Sequence, residues 1–127
     1  MKILLSPAKS LKEDVDFDSK LTTSIKFSKE SEQLIKKLKK LSVKKIESLM
    51  HVSRDLAELN YERFQQFSEE FTSDNSFPAA YVFSGAAYQG MDYTSMSMED
   101  QMQGQERLRI LSGLYGILKP FDLIQPY

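Results

Sequence analysis

The chain has 127 residues, of which 41% are hydrophobic and 28% charged, and this composition is typical of one soluble globular domain. It contains no cysteine and a single histidine, His51, which excludes disulfides, thiolate metal sites and histidine clusters within the chain. Only carboxylate sites remain, and they are not grouped at the spacing of a calcium loop. Direct iron binding through hard oxygen ligands is therefore a disfavoured alternative, and we predict no metal and no cofactor. The apolar run near the N-terminus is too short for a secretory signal, and no run approaches membrane-spanning length. These features predict a cytoplasmic protein that does not contact membranes.

The net charge is −1, but the charges are unevenly placed along the sequence. Residues 1–63 are rich in lysine, whereas residues 64–106 contain acids and no Lys or Arg. This asymmetry is compatible with a polyanionic partner on one surface. The near-neutral total argues against a protein that binds nucleic acid by charge alone.

The first half of the sequence predicts one strand followed by three helices. Residues 2–5 form a short apolar run that ends at Ser6 and Pro7, which indicates a buried strand and a loop. Residues 11–27 show no sustained period and predict an irregular connection. From Ser28 apolar residues recur at helical spacing, and Ser42 and Ser53 are suitable N-caps for a second and a third helix.

The second half predicts further strands separated by helix. An acidic loop covers residues 69–78, an apolar run at 79–83 predicts a strand, and Ser97 with Asp100 predicts a capped helix over 98–107. Residues 108–112 predict another strand, followed by a glycine-bounded turn. Strands alternating with helices predict a mixed α/β fold, with a small sheet, flanking helices and a helix-hairpin-helix-like element. We assign residues 1–127 to a single α/β domain.

The ending, residues 108–127, is the most apolar and glycine-punctuated part of the sequence. Chain termini usually make few buried contacts, so two explanations are open: the segment docks into the core, or it is the middle of a longer domain. In the second case its apolar side chains would be unpaired surface, and self-association through residues 108–127 is expected.

A tight hairpin is predicted where the second helix meets the third. His51, Val52 and Ser53, with Ala57 four residues further on, have the spacing of the helix-hairpin-helix motif, in which a Gly-apolar-Gly turn precedes a helix. Backbone N–H groups at such a turn and the helix dipole favour a phosphate, with Arg54 beside them. His51 and Ser53 stand where glycine is usual, and a structural αα-hairpin is the alternative.

A lysine run lies just before that hairpin. Its members are Lys36, Lys37, Lys39, Lys40, Lys44 and Lys45. Lysines that meet phosphates release counterions, so the run and the hairpin together predict contacts with the backbone of double-stranded DNA. The alternative is a solvated helix face opposite an apolar stripe. No arginine or aromatic residue is interleaved with the lysines, so base stacking has no support.

A second candidate site combines Ser6 and Lys9 after the first strand, Ser84 after the second, and Gly113 in the final turn. Loops at the carboxyl ends of strands are where open α/β sheets bind ligands, so an anion or small ligand is the hypothesis. No glycine-rich phosphate cradle accompanies them. The sequence also lacks a recognisable catalytic constellation, so we predict no catalytic residues and disfavour an enzyme without excluding one.

Four strings of the sequence resemble the YaaA family of bacterial peroxide-stress proteins. They are ILLSPAKSL, LIKKLKKLSVKKIESLMHVSRDLAELNYERF, YVFSGAAYQGMD and LRILSGLYGILKPFDLIQPY, and together they cover most of the chain. The resemblance implies a cytoplasmic protein of the hydrogen-peroxide response that limits iron-linked damage. It also implies an α/β body with a helix-hairpin-helix and a capacity to bind DNA. Family members are about twice as long, so the chain resembles an N-terminal half.

Overall fold

A computed structural model describes residues 1–8, 10–13 and 15–127 and has a mixed α/β fold, as predicted. The α-helices are Ser28–Leu38 (α1), Val43–Met50 (α2), Arg54–Gln66 (α3), Ala79–Val82 (α4), Ala86–Met91 (α5) and Met98–Arg107 (α6). The β-strands are Ile3–Leu5 (β1), Ser10–Leu11 (β2), Phe77–Pro78 (β3), Phe83–Ser84 (β4), Leu108–Ser112 (β5), Gly116–Leu118 (β6) and Leu123–Ile124 (β7). Short 3₁₀ helices lie at Ser19–Leu21 and Tyr93–Ser95.

The largest sheet joins the two ends of the chain. Its strand order is β1-β5-β6, with β1 parallel to β5 and β5 antiparallel to β6. Ile3 is paired with Leu108, and Ile110 with Leu118. Two small antiparallel ladders, β2 with β4 and β3 with β7, hold the connecting segments. The predicted strands at 2–5 and 108–112 are present, although their pairing spans most of the sequence. The prediction that the first strand is buried is wrong, because β1 lies at the edge of the sheet and its Ile3 and Leu4 are 49% and 61% exposed.

The predicted strand at 79–83 is wrong, because residues 79–82 form the single helical turn α4. Pro78 precedes the turn with φ −58°, and two alanines follow it, which suits a helix start. The backbone N–H groups of Ala79 and Ala80 donate to the carbonyls of Asp122 and Pro120, at 2.9 and 3.0 Å. A short apolar run cannot by itself distinguish a buried strand from a buried helix.

The ending is docked into the core. Most of its apolar side chains are buried: Leu108, Ile110, Leu114, Tyr115, Leu118, Phe121 and Ile124. The expectation that they form unpaired surface is therefore wrong for all of these. Two positions keep substantial exposure, since Leu111 is 39% and Ile117 46% exposed.

A buried polar network fixes this segment to the loop that follows α3. The Tyr115 hydroxyl donates to the Gln125 carbonyl at 2.7 Å and accepts from the Gln125 N–H at 3.0 Å. The Gln125 side chain in turn accepts from the Ser68 N–H and donates to the Ser68 carbonyl. Because each buried group has a partner, the network gives the segment one defined position.

Buried tyrosines make the fold sensitive to alkaline pH. Burial raises the pKa of Tyr88 and of Tyr93 to about 12, against an ordinary value of about 10. The neighbouring Tyr127 adds to the increase at Tyr88, and the neighbouring Tyr81 adds to it at Tyr93. A raised pKa in the folded state gives stability that is complete below pH ~10 and is lost as pH rises towards 12. We expect the free energy of unfolding, measured by chemical denaturation, to fall above pH ~10.

Tyr93→Phe should flatten that alkaline fall, because it removes one of the titrating groups. An unfolding free energy that stays constant between pH 10 and 12 would contradict the prediction.

Candidate functional site

The predicted α2 and α3 helices are present and pack against each other. The Ser42 hydroxyl accepts from the Lys45 N–H at 3.2 Å, and the Ser53 hydroxyl accepts from the Leu56 N–H at 3.3 Å. Both predicted N-caps are therefore confirmed. Ile46 of α2 and Ala57 of α3 are fully buried. Structural αα-hairpins share this arrangement, so a role in DNA binding depends on the charges around it.

The turn between α2 and α3 contains no glycine, and a histidine adopts the left-handed conformation there. His51 has φ 54° and ψ 49°, the left-handed conformation that glycine adopts most easily. The Val52 N–H donates to the Glu47 carbonyl at 3.3 Å, which is the 6→1 bond of a Schellman ending, and the His51 N–H donates to the same carbonyl, which is the 5→1 bond of the αL motif. Ser53 has an ordinary φ of −65°. Of the two positions where the motif has glycine, only the first needs positive φ here.

The left-handed turn gives a stability prediction. His51→Gly and His51→Val both delete the imidazole and its interactions, so their difference isolates the backbone conformation. We expect the valine variant to be less stable than the glycine variant by about 1–2 kcal/mol, because a β-branched residue is strained at positive φ. Chemical denaturation measures both. Equal stability of the two variants would contradict the left-handed assignment.

Five of the six predicted lysines are exposed at the corner between α1 and α2. We call Lys36, Lys37, Lys40, Lys44 and Lys45 the lysine cluster. The ion pairs Arg54–Glu58 and Arg63–Glu13 do not involve any of these lysines. The cluster therefore presents positive charge to solvent.

Lys39 has a different role from its neighbours. It is half-buried, its Nζ donates to the Phe67 carbonyl at 3.3 Å, and its own carbonyl accepts from Gln65 Nε2 at 2.8 Å. Lys39 thus ties the end of α1 to the end of α3. The sequence held a signal for this, since Lys39 follows the buried Ile35 by four residues and so lies on the same helix face.

The lysine cluster extends over the end of α1 and the start of α2, whereas the hairpin turn follows the last residue of α2. Lys44 and Lys45 lie about 9–11 Å along the helix axis from His51. Lys37 of α1 lines one cavity with Leu49 and Met50, the residues just before the turn. Next to the turn, exposed Arg54 pairs with Glu58 at 3.3 Å. Asp55 lies in the first turn of α3, where its charge suits the helix dipole but opposes a phosphate. The lysine cluster is therefore the cationic part of the candidate site, and the turn offers mainly backbone groups.

The second candidate site is partly assembled. Ser6, Ser84 and Gly85 line one open cavity of about 550 Å³. The pairing of Ser10 with Ser84 brings the two loops together, and the Tyr88 hydroxyl donates to the Ser6 carbonyl. Gly113 instead lines a separate apolar cavity of about 490 Å³ with Leu34, Met50 and Tyr127. Lys9 lies outside the described residues.

Within the described ranges, no group of three or more His, Cys, Asp or Glu side chains could hold a metal ion. In the same part of the chain, the helices are all too short or too polar to cross a membrane.

The fold and the candidate site define a mixed α/β protein with a lysine-flanked pair of helices. A family model described as peroxide stress protein YaaA matches residues 1–127, so the chain belongs to that family. It is similar over its whole length to UPF0246 proteins of Ralstonia pickettii (48% identity), Saccharophagus degradans (46%) and Flavobacterium psychrophilum (44%). The chain spans 49–50% of the length of these curated relatives and matches their N-terminal half.

Proposed function

We propose that this chain acts in the bacterial response to hydrogen peroxide by binding double-stranded DNA in the cytoplasm. The family description supports the link to peroxide stress. The exposed lysine cluster at the α1–α2 corner is the observation that carries the DNA-binding part of the proposal. Bound protein would shield DNA from oxidation driven by iron, which accounts for a role in limiting iron-linked damage.

Binding of this kind involves phosphates and not base edges. The cluster contains lysines only, and lysine is a point charge that meets a phosphate without reading sequence. The N-terminus of α3 adds N–H groups and the positive end of a helix dipole at the other end of α2. The chain would therefore bind duplexes of different sequence with similar affinity.

Fluorescence anisotropy with random-sequence duplex DNA across a salt series tests the proposal. If all five cluster lysines meet phosphates, log Kobs should fall against log salt concentration with a slope of up to about −4.5. Binding should be independent of base composition. Absence of binding even at low salt would refute the proposal.

A small-ligand protein is the second candidate function, and the convergence of Ser6 with Ser84 at one cavity favours it. Inorganic phosphate is a suitable first probe because the proposed ligand is an anion. Saturable NMR shifts at Ser6, Ser84 and Gly85 would support this function. Shifts that fail to saturate, or that spread over the surface, would remove its basis.

A further inference from the structure

The three-stranded sheet leaves one of its faces uncovered. Leu4 is paired with Arg109, and Leu111 with Ile117, so these four side chains share a face that we call the outer sheet face. Leu4 is 61%, Ile117 46% and Leu111 39% exposed. The intervening pair, Ile110 and Leu118, points to the opposite face and is fully buried. The opposite face is thus packed over β5 and β6, while Ile3 at its β1 edge is 49% exposed.

The exposure of apolar side chains on this face is unusual for a sheet that contains parallel strands. Parallel strands such as β1 and β5 occur almost only in sheets that are covered on both faces. The two outer strands, β1 and β6, also have one edge without a ladder in this sheet. Exposed apolar side chains beside unpaired strand edges are the features of a surface that another polypeptide covers.

The curated relatives indicate what covers it. They are about twice as long as this chain, and the matched region is their first half. We propose that the outer sheet face is the docking surface for the second half of the family domain, which the full-length relatives contain. Leucine and isoleucine there suit a folded apolar layer, and the guanidinium of Arg109 on the same face already donates to the carbonyls of Gln105 and Leu108. The outer sheet face therefore differs in chemistry from the lysine cluster.

Thiol labelling tests this proposal with a matched control. The chain has no cysteine, so each introduced thiol reports on one position. Leu111 on the outer sheet face and Leu59 on α3 have the same exposure, 39%. Leu111→Cys and Leu59→Cys are prepared in this chain and in a chimera that adds the second half of the Ralstonia pickettii relative, with its cysteines replaced by serine.

Both thiols should react with a maleimide at similar rates in this chain alone. In the chimera, labelling of Leu111→Cys should slow at least tenfold, whereas labelling of Leu59→Cys should not change. Equal labelling of Leu111→Cys in the folded chimera and in this chain would overturn the proposal. Protection of that thiol in this chain at rising concentration would also overturn it, since a second copy would then cover the face.

Hydrogen exchange keeps the proposal testable if the chimera does not fold. The intact Ralstonia pickettii relative replaces the chimera, and its segment aligned with β6 is compared with β6 of this chain. Exchange in the relative should be at least tenfold slower. Equal exchange rates would show that the second half leaves this face open.

Discussion

A chain with Lys36, Lys40 and Lys44 changed to glutamate should bind random-sequence duplex DNA about 100-fold more weakly than the parent chain. Each substitution removes the positive charge that neutralises one phosphate and places a negative charge where that phosphate would lie. The slope of log Kobs against log salt should become shallower by about 0.9 for each phosphate that is no longer neutralised. Anisotropy titrations at several salt concentrations measure both quantities.

The control is a second triple variant with the same change in net charge. Lys12, Lys20 and Lys119 are exposed and lie outside α1, α2 and α3. Changing these three to glutamate should alter affinity only through long-range charge, which salt screens over about 8–10 Å. Equal weakening by the two triple variants would mean that the lysine cluster is not the binding surface.

Gly116→Ala should lower the free energy of unfolding by about 2–4 kcal/mol, combining backbone strain with overpacking. Gly116 has φ +79°, and an added Cβ would lie 2.7 Å from Cδ2 of Phe27. Gly113, in the same turn, has nothing within 4 Å of an added Cβ. Gly113→Ala should therefore change the unfolding free energy by no more than about 0.5 kcal/mol. Chemical denaturation measures both variants.

A double variant separates the two causes at Gly116. Gly116→Ala should cost less stability in a Phe27→Ala background than in the parent chain, because the ring that the added Cβ meets is absent there. The cost that remains in the Phe27→Ala background reports the strain of a left-handed alanine. Equal stabilities of Gly116→Ala and Gly113→Ala would contradict both the left-handed backbone at Gly116 and the packing of Phe27, the residue before α1, against the start of β6.

Local features of the fold were predictable from the sequence. Ser42, Ser53 and Ser97 each precede a helix and accept from a backbone N–H three residues further on, as their sequence context indicated. The strands at 3–5 and 108–112 follow from short apolar runs between turn residues. Each of these features depends on residues that are close together in the sequence, so local sequence patterns are sufficient to predict it.

Non-local features were not predictable. The parallel pairing of Ile3 with Leu108 depends on contacts across most of the chain. The helical turn at Ala79–Val82 depends on carbonyls of Pro120 and Asp122 that fix its first N–H groups. A residue's own neighbours carry no information on either. For the same reason, the docking of the ending through Tyr115 and Gln125 was left open by the sequence.

The candidate site was predictable in its residues but not in its arrangement. The sequence placed the lysine run next to the hairpin, and in the structure α2 separates Lys44 and Lys45 from the turn while Lys37 of α1 lines one cavity with Leu49 and Met50. It also grouped Lys39 with the other lysines, although this side chain reaches the end of α3. Ser6 and Ser84 do meet at one cavity, while Gly113 lies at another. Grouping residues by sequence pattern therefore put together some side chains that the fold separates.

NMR of the ¹⁵N-labelled chain, titrated with a short random-sequence duplex, tests DNA binding through the lysine cluster most directly. We predict saturating amide shifts within residues 36–54, strongest at the cluster and at the start of α3, that weaken as salt is raised. Absence of shifts at low salt, or shifts confined to residues 6–8 and 84–88, would contradict this account.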